Sequence, residues 1–214
     1  YTIELLAEDA VGLMDYLDLN KVRFCGLSKG GMVGQMLGTA HADRVECLVL
    51  CDTSAFMGGG NTWQERMDAV RAGGMQAVAE GTIDRWFTKA GQERLASEVD
   101  DVRQMILGTP VEGFVACCQA IATMDQRESI KVIQTPTLVI VGEDDPGTPV
   151  ADAELIHQNI AGSKLLVLPE AAHFANVEQA ERFNGGLLGH PECIRNGFID
   201  DIHFVGHVFT GLAG

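Results

Sequence analysis

Short, continuous apolar runs alternate along this chain with longer segments in which apolar residues recur every three or four positions. The continuous runs predict strands that are buried on both faces, as in a parallel sheet; they cover 22–25, 46–51, 137–142 and 164–168. The periodic segments predict helices, over 4–17, 32–40, 151–160 and 176–188. Strands that alternate with helices predict the α/β class, with a mostly parallel sheet and flanking helices.

The pattern changes between the second and third predicted strands. Four stretches there have helical periodicity and no strand interrupts them; they cover 62–72, 75–81, 93–107 and 113–124. Helices inserted between two strands of one sheet predict a cap over it. We therefore expect an α/β core (1–55 and 135–188), a helical cap (56–134) and an unassigned tail (189–214).

The sequence Gly26-Leu27-Ser28-Lys29-Gly30 lies between the first strand and the following helix. The pattern G-x-S-x-G in that setting predicts a nucleophile elbow, a tight turn that exposes the serine hydroxyl. The small residues Gly26 and Gly30 leave room for the strained serine. The backbone N–H of Lys29, at the helix N-terminus, is predicted to donate to an oxyanion. A glycine-rich turn with a capping serine is the plainer alternative.

Acidic residues and a histidine follow the last two predicted strands. Asp144 and Asp145 come directly after strand 137–142, and His173 follows strand 164–168. The chain order serine, acid, histidine is the order found with such an elbow. Ser28 would be the nucleophile, His173 the base that takes its proton, and the acid the group that orients the imidazole.

These motifs are those of the α/β hydrolases, and further stretches resemble bacterial 3-oxoadipate enol-lactonases. The resemblance is carried by 24–35, 48–55, 85–88, 109–114, 117–121 and 171–179. It spans roughly residues 1–188 and implies a serine hydrolase of aromatic catabolism. Such an enzyme opens a small carboxylated enol-lactone through an acyl-enzyme and needs no cofactor or metal.

The resemblance also selects among candidate residues. The family pattern Gly-x-x-Asp-x-x-Thr-Pro is matched from Gly142 to Pro149, and it favours Asp145 over Asp144 as the triad acid. A carboxylated substrate implies a basic counter-charge in the cap. Arg85 and Trp86 are the substrate-binding candidates, and a surface arginine paired with an acid is the alternative for Arg85.

Other interpretations of the same motifs stay open. The chain could be a carboxylesterase, a C–C bond hydrolase of ring-cleavage products, or a ligand-binding α/β-hydrolase chain without catalysis. Strands and a loop with a second oxyanion donor precede the elbow region in the implied fold, so we expect an N-terminally truncated hydrolase. The tail has no counterpart, and its His203 and His207 lack an evident third metal ligand.

Charge and composition restrict the partners further. The net charge of −15 disfavours nucleic-acid binding, which requires a basic face. No apolar run approaches the 18 residues of a membrane span, so we expect no membrane partner. The six cysteines include several in predicted core strands, which favours buried thiols in a reducing cytoplasm. The expected partner is a small lactone or ester, and the sequence carries no information on the oligomeric state.

Overall fold

Four parallel strands form a single sheet in the computed structural model, which describes residues 1–58 and 61–190. The strands are β1 (Val22–Leu27), β2 (Val45–Cys51), β3 (Thr137–Gly142) and β4 (Lys164–Leu168). Their order in the sheet is β1-β2-β3-β4, and all three neighbouring pairs are parallel. The predicted α/β class with a parallel sheet is confirmed.

Ten helices of the described residues surround or follow these strands. In chain order they are α1 (Ile3–Tyr16), α2 (Lys29–Ala40), α3 (Thr62–Gly73), α4 (Gln76–Trp86), α5 (Lys89–Arg94), α6 (Ala96–Leu107), α7 (Val111–Thr123), α8 (Val150–Asn159), α9 (Ala175–Glu178) and α10 (Ala180–Leu188). Short 3₁₀ helices occupy Ala42–Arg44 and Ser129–Val132. Among the described residues no single helix is long and apolar enough to cross a membrane; α6 and α7, which meet at 95°, pass that test only as a pair.

The side chains of the central strands alternate between two hydrophobic clusters, one on each face of the sheet. On β2, Leu48 and Leu50 face the cluster that includes α1, α2 and α8, whereas Cys47 and Val49 face the cluster that includes α10. Strand β1 lies at the end of the strand order, and its Cys25 is exposed. Cys25 is one of the cysteines in the predicted core strands, and the expectation of a buried thiol was wrong for it, because this strand is paired on one side only among the described residues.

Helices α3 to α7 lie between β2 and β3 in the chain and are called the helical insert below. They number five where four were predicted. Helix α4 continues to Trp86, the backbone then becomes extended at Phe87 (φ −128°, ψ 143°), and Thr88 caps the separate helix α5. The insert has its own apolar cluster, and Phe174 from the loop after β4 belongs to it. The division of the chain into core and cap domains stays a prediction.

The predicted helix 176–188 is divided by Gln179. Its backbone (φ −126°, ψ 46°) ends α9 and begins α10, and its side chain donates a hydrogen bond to the carbonyl of Glu170. Residues 191–214, which hold most of the unassigned tail with His203 and His207, lie outside the described residues.

Candidate active site at the carboxyl ends of the strands

Ser28 occupies a sharp turn between β1 and α2. Its backbone has φ 55° and ψ −115°, a conformation that costs a non-glycine residue about 1–3 kcal/mol. Strand β2 and the loop that follows it hold the turn with two hydrogen bonds. The N–H of Ser28 donates to the carbonyl of Cys51 (2.8 Å), and the hydroxyl of Thr53 donates to the carbonyl of Ser28 (2.7 Å). The turn therefore has the geometry predicted for a nucleophile elbow.

The glycines of the motif contribute in different ways. A Cβ on Gly26 would overlap the backbone oxygen of Gly30, so no side chain fits at position 26. A Cβ on Gly31 would come within 2.6 Å of the Thr53 side chain. A Cβ on Gly30 would meet nothing within 4 Å among the described residues. Close packing around the serine thus requires Gly26 and also Gly31, which follows the motif, whereas the expectation that a small residue is needed at Gly30 was wrong.

Asp145 and His173 meet across the ends of β3 and β4. The Oδ2 atom of Asp145 lies 2.7 Å from Nδ1 of His173, and both side chains are almost fully buried. Thr148 supports the acid by donating from its hydroxyl to Oδ2 (2.6 Å). Asp144 is exposed and reaches this region only with its backbone N–H, which donates to the carbonyl of Ala171. The structure thus brings Asp145, and not Asp144, to the histidine.

The surroundings keep Asp145 ionised. Burial favours the neutral acid, yet hydrogen bonds from His173, Thr148 and the N–H of Gly147 outweigh burial and lower the pKa of Asp145 below its ordinary value. An ionised Asp145 accepts a hydrogen bond from the N–H at Nδ1 of His173, which leaves Nε2 as the basic nitrogen. This is the tautomer that a histidine needs to take a proton from a serine.

An aromatic residue of the insert, Trp86, covers the histidine. The ring of Trp86 stacks on His173 with the centroids 6.0 Å apart and on Phe174 with the centroids 4.7 Å apart. The carbonyl of Trp86 also accepts the N–H of Phe174 (2.9 Å). Trp86, proposed from sequence as a substrate-binding residue, is therefore in contact with the candidate base.

A cavity inside the insert shares Trp86 and Phe174 with this region. Its lining is mostly apolar and includes Met75, Ile106 and Phe114, but Arg66 also belongs to it. The Nε atom of Arg66 is buried and has no hydrogen-bond partner among the described residues. Burial, with the nearby charge of Arg85, lowers the pKa of Arg66.

Two other predicted site residues lie at the edges of this arrangement. Arg85 is exposed, donates to the hydroxyl of Thr82 on its own helix (3.3 Å), and is not among the residues that line the cavity. Lys29 is the first residue of α2, so its backbone N–H belongs to the helix N-terminus beside Ser28. The Nζ atom of Lys29 donates to Sγ of Cys117 on α7 at 2.8 Å, which connects the elbow with the insert.

Comparison with known proteins gives the same picture. Residues 1–180 match the family model described as the alpha/beta hydrolase fold. The chain belongs to the α/β-hydrolase family. Over 184 residues it is 36% identical to 3-oxoadipate enol-lactonase 2 of Acinetobacter baylyi. The aligned residues cover 86% of this chain and 68% of that protein.

Two solved structures are also similar to this α/β hydrolase. The enol-lactonase from Burkholderia xenovorans LB400 is 38% identical with a TM-score of 0.86, over 88% of this chain and 72% of that one. A thermophilic esterase from Thermogutta terrifontis, with malate bound, is 32% identical with a TM-score of 0.82, over 88% of this chain and 71% of that one. The relatives are hydrolases, which confirms the resemblance found in the sequence.

Some residues of the site carried no signal in the sequence. Asp52, directly after β2, is fully buried and has φ 42°; its Oδ1 accepts the N–H of Gly142 (2.7 Å). Arg66 lies on a helix of mostly polar residues, and no pattern distinguishes it from a surface arginine. Glu178 lies within the stretch that resembles the enol-lactonases, yet the resemblance assigned it no role. Only the tertiary structure places these three side chains.

Proposed function

We propose that this α/β hydrolase is a serine hydrolase that opens a small carboxylated enol-lactone. Ser28 is the nucleophile, His173 the general base and acid, and Asp145 the residue that orients the imidazole. The N–H of Lys29 is one donor to the oxyanion. The observation that carries the proposal is the buried 2.7 Å hydrogen bond between Asp145 and His173, at the same end of the sheet as the elbow.

The reaction follows from these groups. The hydroxyl of Ser28 attacks the lactone carbonyl while Nε2 of His173 takes its proton, and the negative charge on the carbonyl oxygen is met by N–H donors. The C–O bond of the ring then breaks, and His173 returns the proton to the leaving enol oxygen. The acyl-enzyme keeps the whole opened molecule as one ester. Water activated by His173 hydrolyses that ester and releases the free acid.

The substrate class rests on the relatives and on one side chain of the insert. Two proteins named enol-lactonase are 36% and 38% identical to this chain over most of its length. The lactone of 3-oxoadipate carries a free carboxylate, which requires a cationic partner. Arg66 supports this, because its buried Nε has no hydrogen-bond partner among the described residues and the residue lines the cavity beside Trp86. We therefore propose Arg66, in place of Arg85, as the counter-charge.

A carboxylesterase is the second candidate. The similarity to an esterase at 32% identity supports it, since the same triad cleaves acyclic esters. The two candidates differ in whether a carboxylate on the substrate raises kcat/KM. The enol-lactonase binds that carboxylate, and a general esterase does not need it.

Hydrolysis of the two substrate classes separates these functions. The chain is assayed with 3-oxoadipate enol-lactone and with p-nitrophenyl butyrate, a neutral ester, next to Ser28→Ala and the control Ser97→Ala at an exposed serine. We expect a higher kcat/KM for the lactone and a loss of about 10⁴-fold or more in kcat for Ser28→Ala alone. A phosphonate directed at serine hydrolases should label Ser28. Label at another serine, or an unchanged rate in Ser28→Ala, would contradict the proposal.

A further inference from the structure

The loop that carries His173 is attached to the helical insert on both sides of the histidine. The N–H of Ala172 donates to Oε2 of Glu178 (2.7 Å), and the N–H of Phe174 donates to the carbonyl of Trp86 (2.9 Å). These two amides flank His173 directly. The backbone position of the histidine is thus defined by Glu178 and by the end of α4.

The other carboxylate oxygen of Glu178 binds the insert. Its Oε1 accepts both the N–H (3.0 Å) and the hydroxyl (2.6 Å) of Thr88. Thr88 follows Trp86 by two residues, so both attachments of the histidine loop end on the same turn of the insert, residues 86–88. A single carboxylate therefore connects this turn with the amide that precedes the histidine.

The site around Glu178 is built for this side chain. Glu178 is 2% exposed, and its backbone carbonyl accepts a hydrogen bond from Arg94 of α5 (2.8 Å). A Cβ on Gly91 would overlap Oε1 of Glu178, so the helix approaches the carboxylate too closely for any other residue there. Among the residues that the structure describes, the three donors to the carboxylate have no other acceptor, and a buried donor left without an acceptor costs free energy. These contacts therefore favour one orientation of the Glu178 carboxylate.

We propose that Glu178 is a positioning residue that couples the helical insert to His173. It holds the imidazole in line with Asp145 and the elbow only when the 86–88 turn is in place over the site. The inference rests on the proposed role of His173 in catalysis, but it does not depend on which ester or lactone is the substrate. A displacement of the insert therefore also displaces His173, because Glu178 connects the 86–88 turn to the N–H of Ala172.

Glu178→Gln tests the coupling with little change in volume. Its amide has one acceptor oxygen, which the two donors of Thr88 will attract, so that the NH₂ group faces the N–H of Ala172. The variant keeps the attachment to the insert and breaks the attachment to the histidine loop. Misplacing a catalytic group by about 1 Å can cost about 10²-fold in rate. We expect kcat to fall about 10- to 100-fold with KM within about threefold of the unmodified chain.

A spectroscopic measurement separates positioning from general damage. The proton on Nδ1 of His173, held by Asp145, gives a downfield resonance in ¹H NMR that reports the geometry of this pair. It should shift or broaden in Glu178→Gln and stay unchanged in Glu181→Gln, a control at an exposed glutamate three residues further on. Thr88→Val, which removes the hydroxyl and keeps the N–H, should give a smaller change of the same sign, and Thr88→Ser should restore the signal and kcat.

The outcomes are distinct. A Glu178→Gln chain with unchanged kcat and an unchanged His173 resonance would overturn the coupling. If Glu178→Gln does not fold, Thr88→Val and Thr88→Ser decide, and equal kcat values in these two would likewise overturn it. Activity that survives in Ser28→Ala would instead contradict the proposed function, so the two failures are distinguishable.

Discussion

The imidazole of His173 is hydrogen-bonded through Nδ1 to Asp145, with 2.7 Å between Nδ1 and Oδ2, and the two residues lie in the loops that follow the neighbouring parallel strands β4 and β3. The adjacent Asp144 is exposed and has no side-chain contact with the histidine. Two neighbouring aspartates in the sequence are thus placed in very different environments, which allows a matched test.

Asp145→Asn should lower kcat by about 10⁴-fold, because an amide in this position reverses the hydrogen bond and favours the wrong imidazole tautomer. Asp144→Asn should retain kcat within about twofold. Steady-state kinetics of both variants on one substrate check the expectation. The opposite ranking would assign the acid to Asp144.

The two glycines of the elbow motif should respond differently to the same small change. Gly26→Ala forces a methyl group into the backbone of Gly30 and should destabilise the chain by about 3 kcal/mol or more. Gly30→Ala meets open space on a helix and should be neutral or stabilise by up to about 1 kcal/mol. Urea unfolding of both variants measures the difference. Equal losses would mean that the turn is packed in another way.

Asp52 should make stability fall with rising pH. Burial raises the pKa of Asp52 well above its ordinary value. The hydrogen bond from the N–H of Gly142 lowers the pKa, and the charges of Asp145 and Glu178 raise it further. The native state therefore keeps a proton that the unfolded chain loses above about pH 4. The contribution of Asp52 to stability is full below that pH and declines, by at most about 1.4 kcal/mol per pH unit, until the folded-state pKa is passed.

Asp52→Asn isolates this effect, because it keeps an acceptor for Gly142 and cannot ionise. As the pH rises from 5 to 8, the free energy of unfolding of the unmodified chain should fall relative to that of Asp52→Asn. Urea titrations at four pH values in that range measure it. A difference that does not vary with pH would mean that Asp52 is charged in the native state.

The two arginines of the insert should differ in their effect on substrate charge. Arg66→Gln should lose about 1.5–3 kcal/mol of preference for the acid lactone over its methyl ester, the value of a hydrogen bond to a charged group. Arg85→Gln should leave this preference unchanged, since Arg85 is exposed and outside the cavity. The ratio of kcat/KM for the two substrates is the readout, because general damage to the protein affects both alike. A loss confined to Arg85→Gln would restore the role expected from sequence.

The sequence by itself determined the local features of this protein. Continuous β-branched runs such as 137–142 favour buried strands, and the G-x-S-x-G pattern between a strand and a helix favours a tight turn at Ser28, so fold class and elbow were predictable. The order serine, acid, histidine followed from the ends of successive strands. The strands and the elbow depend on residues close together in the chain, where local spacing decides the geometry.

The tertiary structure decided which distant side chains share an environment. Arg66 and Arg85 have similar sequence surroundings. Only the packing of the helices buries the Nε atom of Arg66 and leaves Arg85 exposed. Asp52 and Glu178 resemble solvated acids until β3 and the 86–88 turn bring N–H donors to them. Burial and hydrogen bonding over separations such as the 90 residues between Thr88 and Glu178 leave no periodicity in the sequence, because they arise from packing between elements.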